Sequence, residues 1–328
     1  MLPADPPPEK TPETPLPGAR GVILMGLFNG AAHLGAQLAS FADQTGANWS
    51  LVVGDDGSTD AGPAILGAFA DEMGLAGREV RLVAGPGQGA TLNFLSLLAA
   101  APDADWLALS DQDDVWLPEH LETGLAALAA VPDGRPALYG ACSWICDEDL
   151  GRRRKSPVFR RPPGFRNALV QSIAGGNTML LNRAGADLAR AAAGEALAAG
   201  GPATHDWWLY QLIAGVGGHV IRDELPTILY RQHGGNLFGT NRGAAAVLRR
   251  LAHVLRGDLA RWVDANIAAL TASAHRLTRE NRAILTDFAT LRGLGLFARL
   301  RGFARAGLHR QGRVGQALLW LALTMKKL

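Results

Sequence analysis

Two acidic runs give this 328-residue chain its first chemical signal. One is Asp55-Asp56-Gly57-Ser58 and the other is Asp111-Gln112-Asp113-Asp114. Neighbouring carboxylates repel one another, and a hard divalent cation is the usual reason to keep them together. Mg²⁺ or Mn²⁺ takes one or two protein carboxylates and completes its shell with water and phosphate oxygens. Acidic residues of this kind also serve as turn formers and helix N-caps, a reading that two similarly placed runs weaken. Three later groups could join them: Gly175-Gly176-Asn177, His205-Asp206-Trp207-Trp208 and Arg231-Gln232-His233. Asp206 would lie in the first turn of a helix, where the dipole favours a carboxylate, with Thr204 as N-cap. A histidine can ligate a metal and an arginine can pair with phosphate, although a lone histidine is more often structural. Gly85, Gly87 and Gly89 resemble a phosphate loop only superficially, because the Gly-Lys-Ser/Thr ending is missing.

The elements that must position these residues alternate strand and helix. Strands are predicted at 22–28, 50–53, 79–84 and 106–109, with helices at 31–41, 60–73, 92–100 and 118–130. Pro63 and Pro118 suit the first turns of their helices. The pattern implies an α/β fold, a mostly parallel central sheet with helices on both faces. Ligands then bind beyond the carboxyl ends of the strands, where both acidic runs fall. Further strands are predicted at 137–145 and 178–181, a helix at 204–216 and a short β element at 220–230 around Pro226. Between them, 147–163 holds three acids followed by Arg152, Arg153, Arg154, Lys155, Arg160 and Arg161, and reads as a mobile basic loop. From Ala244 the pattern is helical. From Phe288 to Leu328 there are eight Lys or Arg and no Asp or Glu.

Composition excludes several classes. With 48% hydrophobic and 19% charged residues the chain can bury a core. A net charge of +2 gives no reason to expect nucleic acid as a partner. Cys142 and Cys146 are the two cysteines, which excludes a disulfide scaffold and fits a reducing, cytoplasmic setting. The first twenty residues contain seven prolines and no apolar core of a signal peptide, so a disordered arm is expected there. No stretch approaches the roughly 20 apolar residues that span a bilayer. Abundant Gly and Ala fit a GC-rich bacterial gene.

The segments VILMGLFNG, LVVGDDGSTD, LALSDQDDVW, SIAGGNTML, THDWW and YRQHGGN, in this order from about Val22 to Asn241, resemble glycosyltransferase family 2. These are inverting nucleotide-sugar transferases of the so-called A fold. DQDDVW, HDWW and YRQHGGN look most like bacterial rhamnosyltransferase-type members that build surface polysaccharides. The resemblance implies a catalytic domain at 21–242, flanked by the proline-rich arm at 1–20 and by the basic helical region at 243–328, which carries no motif of the family. Within the catalytic domain, 21–115 would form the nucleotide half and 116–242 the acceptor half. It places Phe28, Asn29, Asp55, Asp56, Asn93 and Asp111 at the nucleotide, Asp55 or Asp56 meeting the base. A carboxylate can accept the imide N–H of uracil or thymine.

By the same resemblance Asp113 and His233 would hold Mg²⁺ or Mn²⁺, and Arg231 the diphosphate. Asp114 would face the acceptor or cap the helix at Pro118. Gly175, Gly176 and Asn177 would allow close approach of a sugar, with a plain tight turn as the alternative. His205, Trp207 and Trp208 would line the acceptor side, the tryptophans offering a sugar platform or else packing in the core. Asp206 would be the general base. The implied partners are a dTDP- or UDP-linked sugar donor and a glycan or lipid-linked acceptor. The basic C-terminal helices suit a contact with the inner face of the cytoplasmic membrane; a solvated face or a homo-oligomer surface accounts for them equally well. A sugar-phosphate nucleotidyltransferase would carry a basic glycine-rich signature after the first strand, where this chain reads GLFNGAAHLG. A non-catalytic glycan-binding scaffold on the same fold is the remaining rival.

Overall fold

A computed structural model describes residues 19–234 and 244–328. Most of the expected N-terminal arm, the end of the YRQHGGN segment and the boundary near 242 lie outside the described residues. The first half alternates β1 (Arg20–Leu27), α1 (Ala31–Ala42), β2 (Asn48–Asp55), α2 (Gly62–Leu75), β3 (Val80–Ala84), α3 (Ala90–Ala99) and β4 (Trp106–Ser110). The second half contains β5 (Val115–Trp116), α4 (His120–Ala129), β6 (Ala137–Cys146), β7 (Arg153–Lys155), α5 (Phe165–Ala168), β8 (Met179–Asn182), α6 (Arg183–Ala198), α7 (His205–Gly215) and β9 (His219–Arg231). Five helices follow: α8 (Ala244–Arg256), α9 (Asp258–Ala272), α10 (Arg279–Gly293), α11 (Leu296–Ala306) and α12 (Arg313–Thr324).

The strand order is β3-β2-β1-β4-β8-β6-β9-β5, with β7 hydrogen-bonded to β6. β1 is parallel to β2 and β4, and β2 to β3. β8 is antiparallel to both β4 and β6, which restores the first direction in β6, and β9 is parallel to β6. β1, β2, β3, β4, β6 and β9 therefore all point the same way, and their carboxyl ends share one edge. The sequence shows why the middle strands are central. Val22–Met25 and Leu107–Leu109 are buried without alternation, as strands covered on both faces must be. Gly21 has no room for a side chain, because a Cβ there would lie 1.8 Å from the Trp106 ring.

Two differences from the sequence reading have clear physical causes. The β element expected at 220–230 is one continuous strand through Pro226, the 13-residue β9. Pro226 lies opposite Cys142, where the β6–β9 register shifts, so the irregularity absorbs the missing N–H. The segment read as a mobile basic loop is ordered. β7 extends the sheet beyond β6, and Arg161 exchanges hydrogen bonds with the Gln311 side chain through its N–H and carbonyl.

The C-terminal helices do not stand apart from the sheet and the helices that precede them. Leu259, Val263, Leu270, Phe288, Phe303 and Leu323 share one hydrophobic cluster with α3, α6 and α7. Part of the basic content is structural. Arg299 is 5% exposed and donates to the carbonyls of Leu323, Leu294 and Thr324, satisfying the end of α12. Arg292 donates to the Leu328 and Ala260 carbonyls and pairs with Asp264.

Candidate active site

The shared strand edge carries the sequence-marked residues, and each is placed by a traceable local cause. After β1, the Gln112 side chain clasps the Phe28 backbone: Oε1 accepts from its N–H at 2.7 Å, and Nε2 donates to its carbonyl at 2.9 Å. Asn29 adopts a left-handed conformation, φ +49°, which asparagine tolerates. Its Oδ1 accepts from the Thr59 N–H at 2.8 Å, tying the β1 turn to the β2 turn. The Phe28 side chain is left 55% exposed at the mouth.

In the first acidic run the carboxylates are met by backbone donors. Asp56 is buried, and its two oxygens accept from the N–H groups of Gly87 and Gly89 at 2.7 and 2.6 Å. The glycine loop thus wraps a side chain of its own chain. Gly87 and Gly89 sit at φ +66° and +92°, which only glycine adopts freely. Asp55 closes a turn by accepting from the Ser58 N–H at 3.0 Å through Oδ1; its Oδ2 has no hydrogen bond among the described residues. The carboxylate that organises the helix start is Asp60, which accepts from Gly62 and Ala31 N–H groups. Asn93 is buried below these turns, donating to the Gly54 carbonyl at 2.7 Å while its Oδ1 has no partner.

The second run is different. Half-buried Asp111 is pushed up to about 7, first by burial, then by the charges of Asp113 and Asp206. Asp206, brought in by the start of α7, therefore faces the β4 end. Thr204 occupies the N-cap position but makes no side-chain cap; Asp206 accepts from the Ser172 hydroxyl at 3.3 Å. Asp113 Oδ2 lies 2.7 Å from His233 Nε2. Among the described residues no third His, Cys, Asp or Glu joins this pair in a ligating group. A divalent cation held there would fill the rest of its shell with water and phosphate oxygens, as Mg²⁺ commonly does. The donor set of one carboxylate and one imidazole fits Mn²⁺ as well.

Several sequence expectations are corrected by packing. Asp114 is fully buried and does not cap α4, which starts with Glu119 at its N-cap position. It accepts from the Asn177 amide and from the Arg231 N–H, and burial raises its pKa well above the carboxylate range. Asn177 is likewise buried and committed to Asp114. Arg231 is 7% exposed and donates to the Asp113 and Glu148 carbonyls, so it braces the acidic turn from beneath. Gly176 leaves room for His205 and not for a sugar: a Cβ there would lie 2.4 Å from His205 Nε2. His205 is buried and stacked on Phe94 at 4.0 Å, and burial lowers its pKa. Gly175 is exposed and simply opens the short turn at 176–178. Trp208 is fully buried, and Trp207 is 7% exposed and donates to the Ala168 carbonyl, so both are core residues.

The structure adds residues that pattern reading did not mark. His33, in the first turn of α1, packs its ring 4.9 Å from that of His233. Burial and then the charge of Arg231 lower its pKa, with Asp113 and Glu148 opposing. Gln112 and Ser172 are the others. No spacing rule would have found them; Gln112 could have been suspected from its place inside the acidic run.

The sequence model of Glycosyl transferase family 2 matches residues 22–187. The dTDP-rhamnosyl transferase RfbG of Shigella flexneri is 25% identical over 229 residues, 69% of this chain and 78% of that protein. Two similar solved structures are the mannosyltransferase PcManGT from Pyrobaculum calidifontis, in complex with GDP-Man and Mn²⁺, and S. aureus TarS 1–349, in complex with UDP-GlcNAc. The first has 18% identity and a TM-score of 0.48, covering 98% of this chain and 90% of the other. The second has 12% identity and a TM-score of 0.49, covering 94% and 89%. With half the chain matched by one family, and that family's acidic motifs gathered on one sheet edge, the chain belongs to glycosyl transferase family 2.

Proposed function

We propose that this glycosyltransferase works with inversion, moving a sugar from a nucleoside diphosphate to a hydroxyl of a surface polysaccharide or lipid-linked glycan. The observation that carries the reading is the convergence of Asp206 with Asp111 and Asp113 at the shared strand edge. The acceptor oxygen attacks the anomeric carbon from the face opposite the leaving group. Asp206 takes the hydroxyl proton as the bond to the diphosphate oxygen breaks. The Ser172 hydroxyl orients Asp206 for this. Asp113 and His233 would hold Mg²⁺ or Mn²⁺, whose charge would offset that of the departing diphosphate. Asp55 supplies the acceptor for the base imide, since Asp56 is already engaged by two amides, and the exposed Phe28 ring flanks the base. The likeness to a dTDP-rhamnosyl transferase favours dTDP-rhamnose as the donor.

The deciding experiment is Asp206→Asn. Transfer should fall about 10²–10⁴-fold, the usual worth of a positioned base, while nucleotide affinity stays at the wild-type level. Loss of nucleotide affinity instead would remove the base assignment.

The lipid-linked version of the acceptor has a further support in the C-terminal region. Leu294, Leu296 and Phe297 are exposed, Phe297 to 86%, and the Arg299 bonds bring this corner to the end of α12, beside Met325, Lys326 and Lys327. Apolar residues rimmed by cations suit an anionic lipid surface. No helix among the described residues is long and apolar enough to cross a membrane. Phe297→Asp should abolish flotation with anionic vesicles; unchanged flotation would discard the membrane contact.

A further inference from the structure

A second feature, a cleft with arginines on its rim, lies beside the acidic turn and takes no part in the mechanism above. A cleft of about 430 Å³ opens at the β6–β7 hairpin, its floor including Ile145 and Cys146 and its polar lining Asp147, Arg152, Arg153, Arg154 and Gln232. Its hydrogen-bonding capacity is biased toward donors. Arg152 and Arg154 have side chains with no hydrogen bond or ion pair among the described residues, and Gln232 Nε2 is a buried amide without a partner. The lining holds one acid against three arginines: Asp147, whose Oδ1 accepts from the Gly151 and Arg152 N–H groups. Arg153 donates Nε to the Leu150 carbonyl, and Leu150 is held at φ +61°, where a side chain is strained. The hairpin therefore presents its arginines from a fixed turn.

The cleft shares a wall with the proposed metal site. Arg231 donates to the Asp113 carbonyl on one side and to the Glu148 carbonyl in the hairpin on the other. The Gln232 N–H donates to the Cys146 carbonyl at 3.1 Å. In the sheet, however, β6 is separated from β4 by β8, whereas the nucleotide turns follow β1, β2 and β4. An anion bound in the cleft would therefore lie on the acceptor side of Asp113 and His233. Guanidinium forks are suited to phosphate oxygens, which they bind by paired charge-assisted bonds.

We propose that this cleft is a subsite for a phosphate or diphosphate group carried by the acceptor, an inference that rests on the glycosyltransferase reading. It would draw the acceptor in by its anionic end and leave the hydroxyl beside Asp206.

The test titrates inorganic pyrophosphate, without added metal, onto the full chain, onto Arg152→Ala/Arg154→Ala, and onto Arg152→Lys/Arg154→Lys. Saturable binding is expected in the wild type, weakened at least about tenfold in the alanine variant and largely restored by lysine. Nucleoside diphosphate affinity, measured separately with Mn²⁺, should be equal in all three proteins. Equal pyrophosphate binding by wild type and alanine variant, or none by the wild type, would overturn the subsite. A parallel loss of nucleoside diphosphate affinity would overturn it too, by assigning the arginines to the donor. Failure of the underlying reading looks different: the wild type would then bind no nucleoside diphosphate at all, and the acceptor role of the cleft would fall with it. A short-chain alkyl diphosphate and a sugar 1-phosphate, compared as competitors of pyrophosphate, separate a lipid-linked acceptor from a soluble phosphorylated one.

Discussion

The two acidic runs look alike on paper and behave oppositely in the fold. Asp55 and Asp56 meet backbone N–H groups of Ser58, Gly87 and Gly89. Asp111 feels the charges of Asp113 and Asp206; among the described residues Asp113 meets His233, and Asp206 meets the Ser172 hydroxyl. In the first run Asp56 is a scaffold with both oxygens engaged, and Asp55 keeps one oxygen for the proposed nucleotide base. The second is a concentration of negative charge that folding tolerates and a bound cation would relieve. The lesson is that an acidic motif acquires its role from the donors around it, not from its own spacing. Stability given up at a functional site is the general form of the second case.

Substitutions in the two runs should therefore move stability in opposite directions. The larger effect belongs to Asp56→Ala, which removes two charge-assisted bonds and frees the glycine loop. A loss of about 3 kcal/mol in denaturant unfolding is expected. A change within about 0.5 kcal/mol would mean that Asp56 is not the scaffold residue.

A smaller effect of opposite sign is expected at Asp111. Its pKa is raised in the fold, so its carboxylate destabilises the metal-free protein as pH rises from the ordinary carboxylate range through about 7. Asp111→Asn should raise the metal-free melting temperature by roughly 2 °C at pH 8. The gain should vanish near pH 4, where the wild-type carboxyl is protonated. Mn²⁺ should narrow the gap at pH 8. A melting temperature lowered by the substitution at pH 8 would break the contrast between the runs.

Much of this was legible beforehand, for reasons tied to particular residues. Unbroken apolar runs at β1 and β4 and the acidic turns after β2 and β4 are local signals, and they located the strand edge. Asp206 was marked by the family resemblance, since a helix-start Asp alone is most often a first-turn charge, and the fold brings it within electrostatic reach of Asp111 across a long stretch of chain. What escaped was whatever depends on partners distant in sequence. The amides that engage Asp56 lie 31 and 33 residues away. Asp114 is captured by Asn177 and by Arg231. The glycine at 176 is required by the imidazole of His205, and the tryptophans beside it turn inward because α7 is buried along its length. His33 reaches the site only because α1 carries it toward the end of β9. Periodicity reports which face of an element is apolar, but it does not report which polar groups will meet.

The central claim is that the second run, with its cation, holds the donor's diphosphate while the first holds up the turn beside its base. Its most direct test is calorimetric titration of the full chain with dTDP, UDP and GDP, each with and without Mn²⁺, repeated on Asp113→Asn. The expected result is binding of one of them that requires Mn²⁺, with affinity weakened at least about tenfold in Asp113→Asn. Binding of equal strength with and without the metal, or unchanged binding in Asp113→Asn, would contradict it.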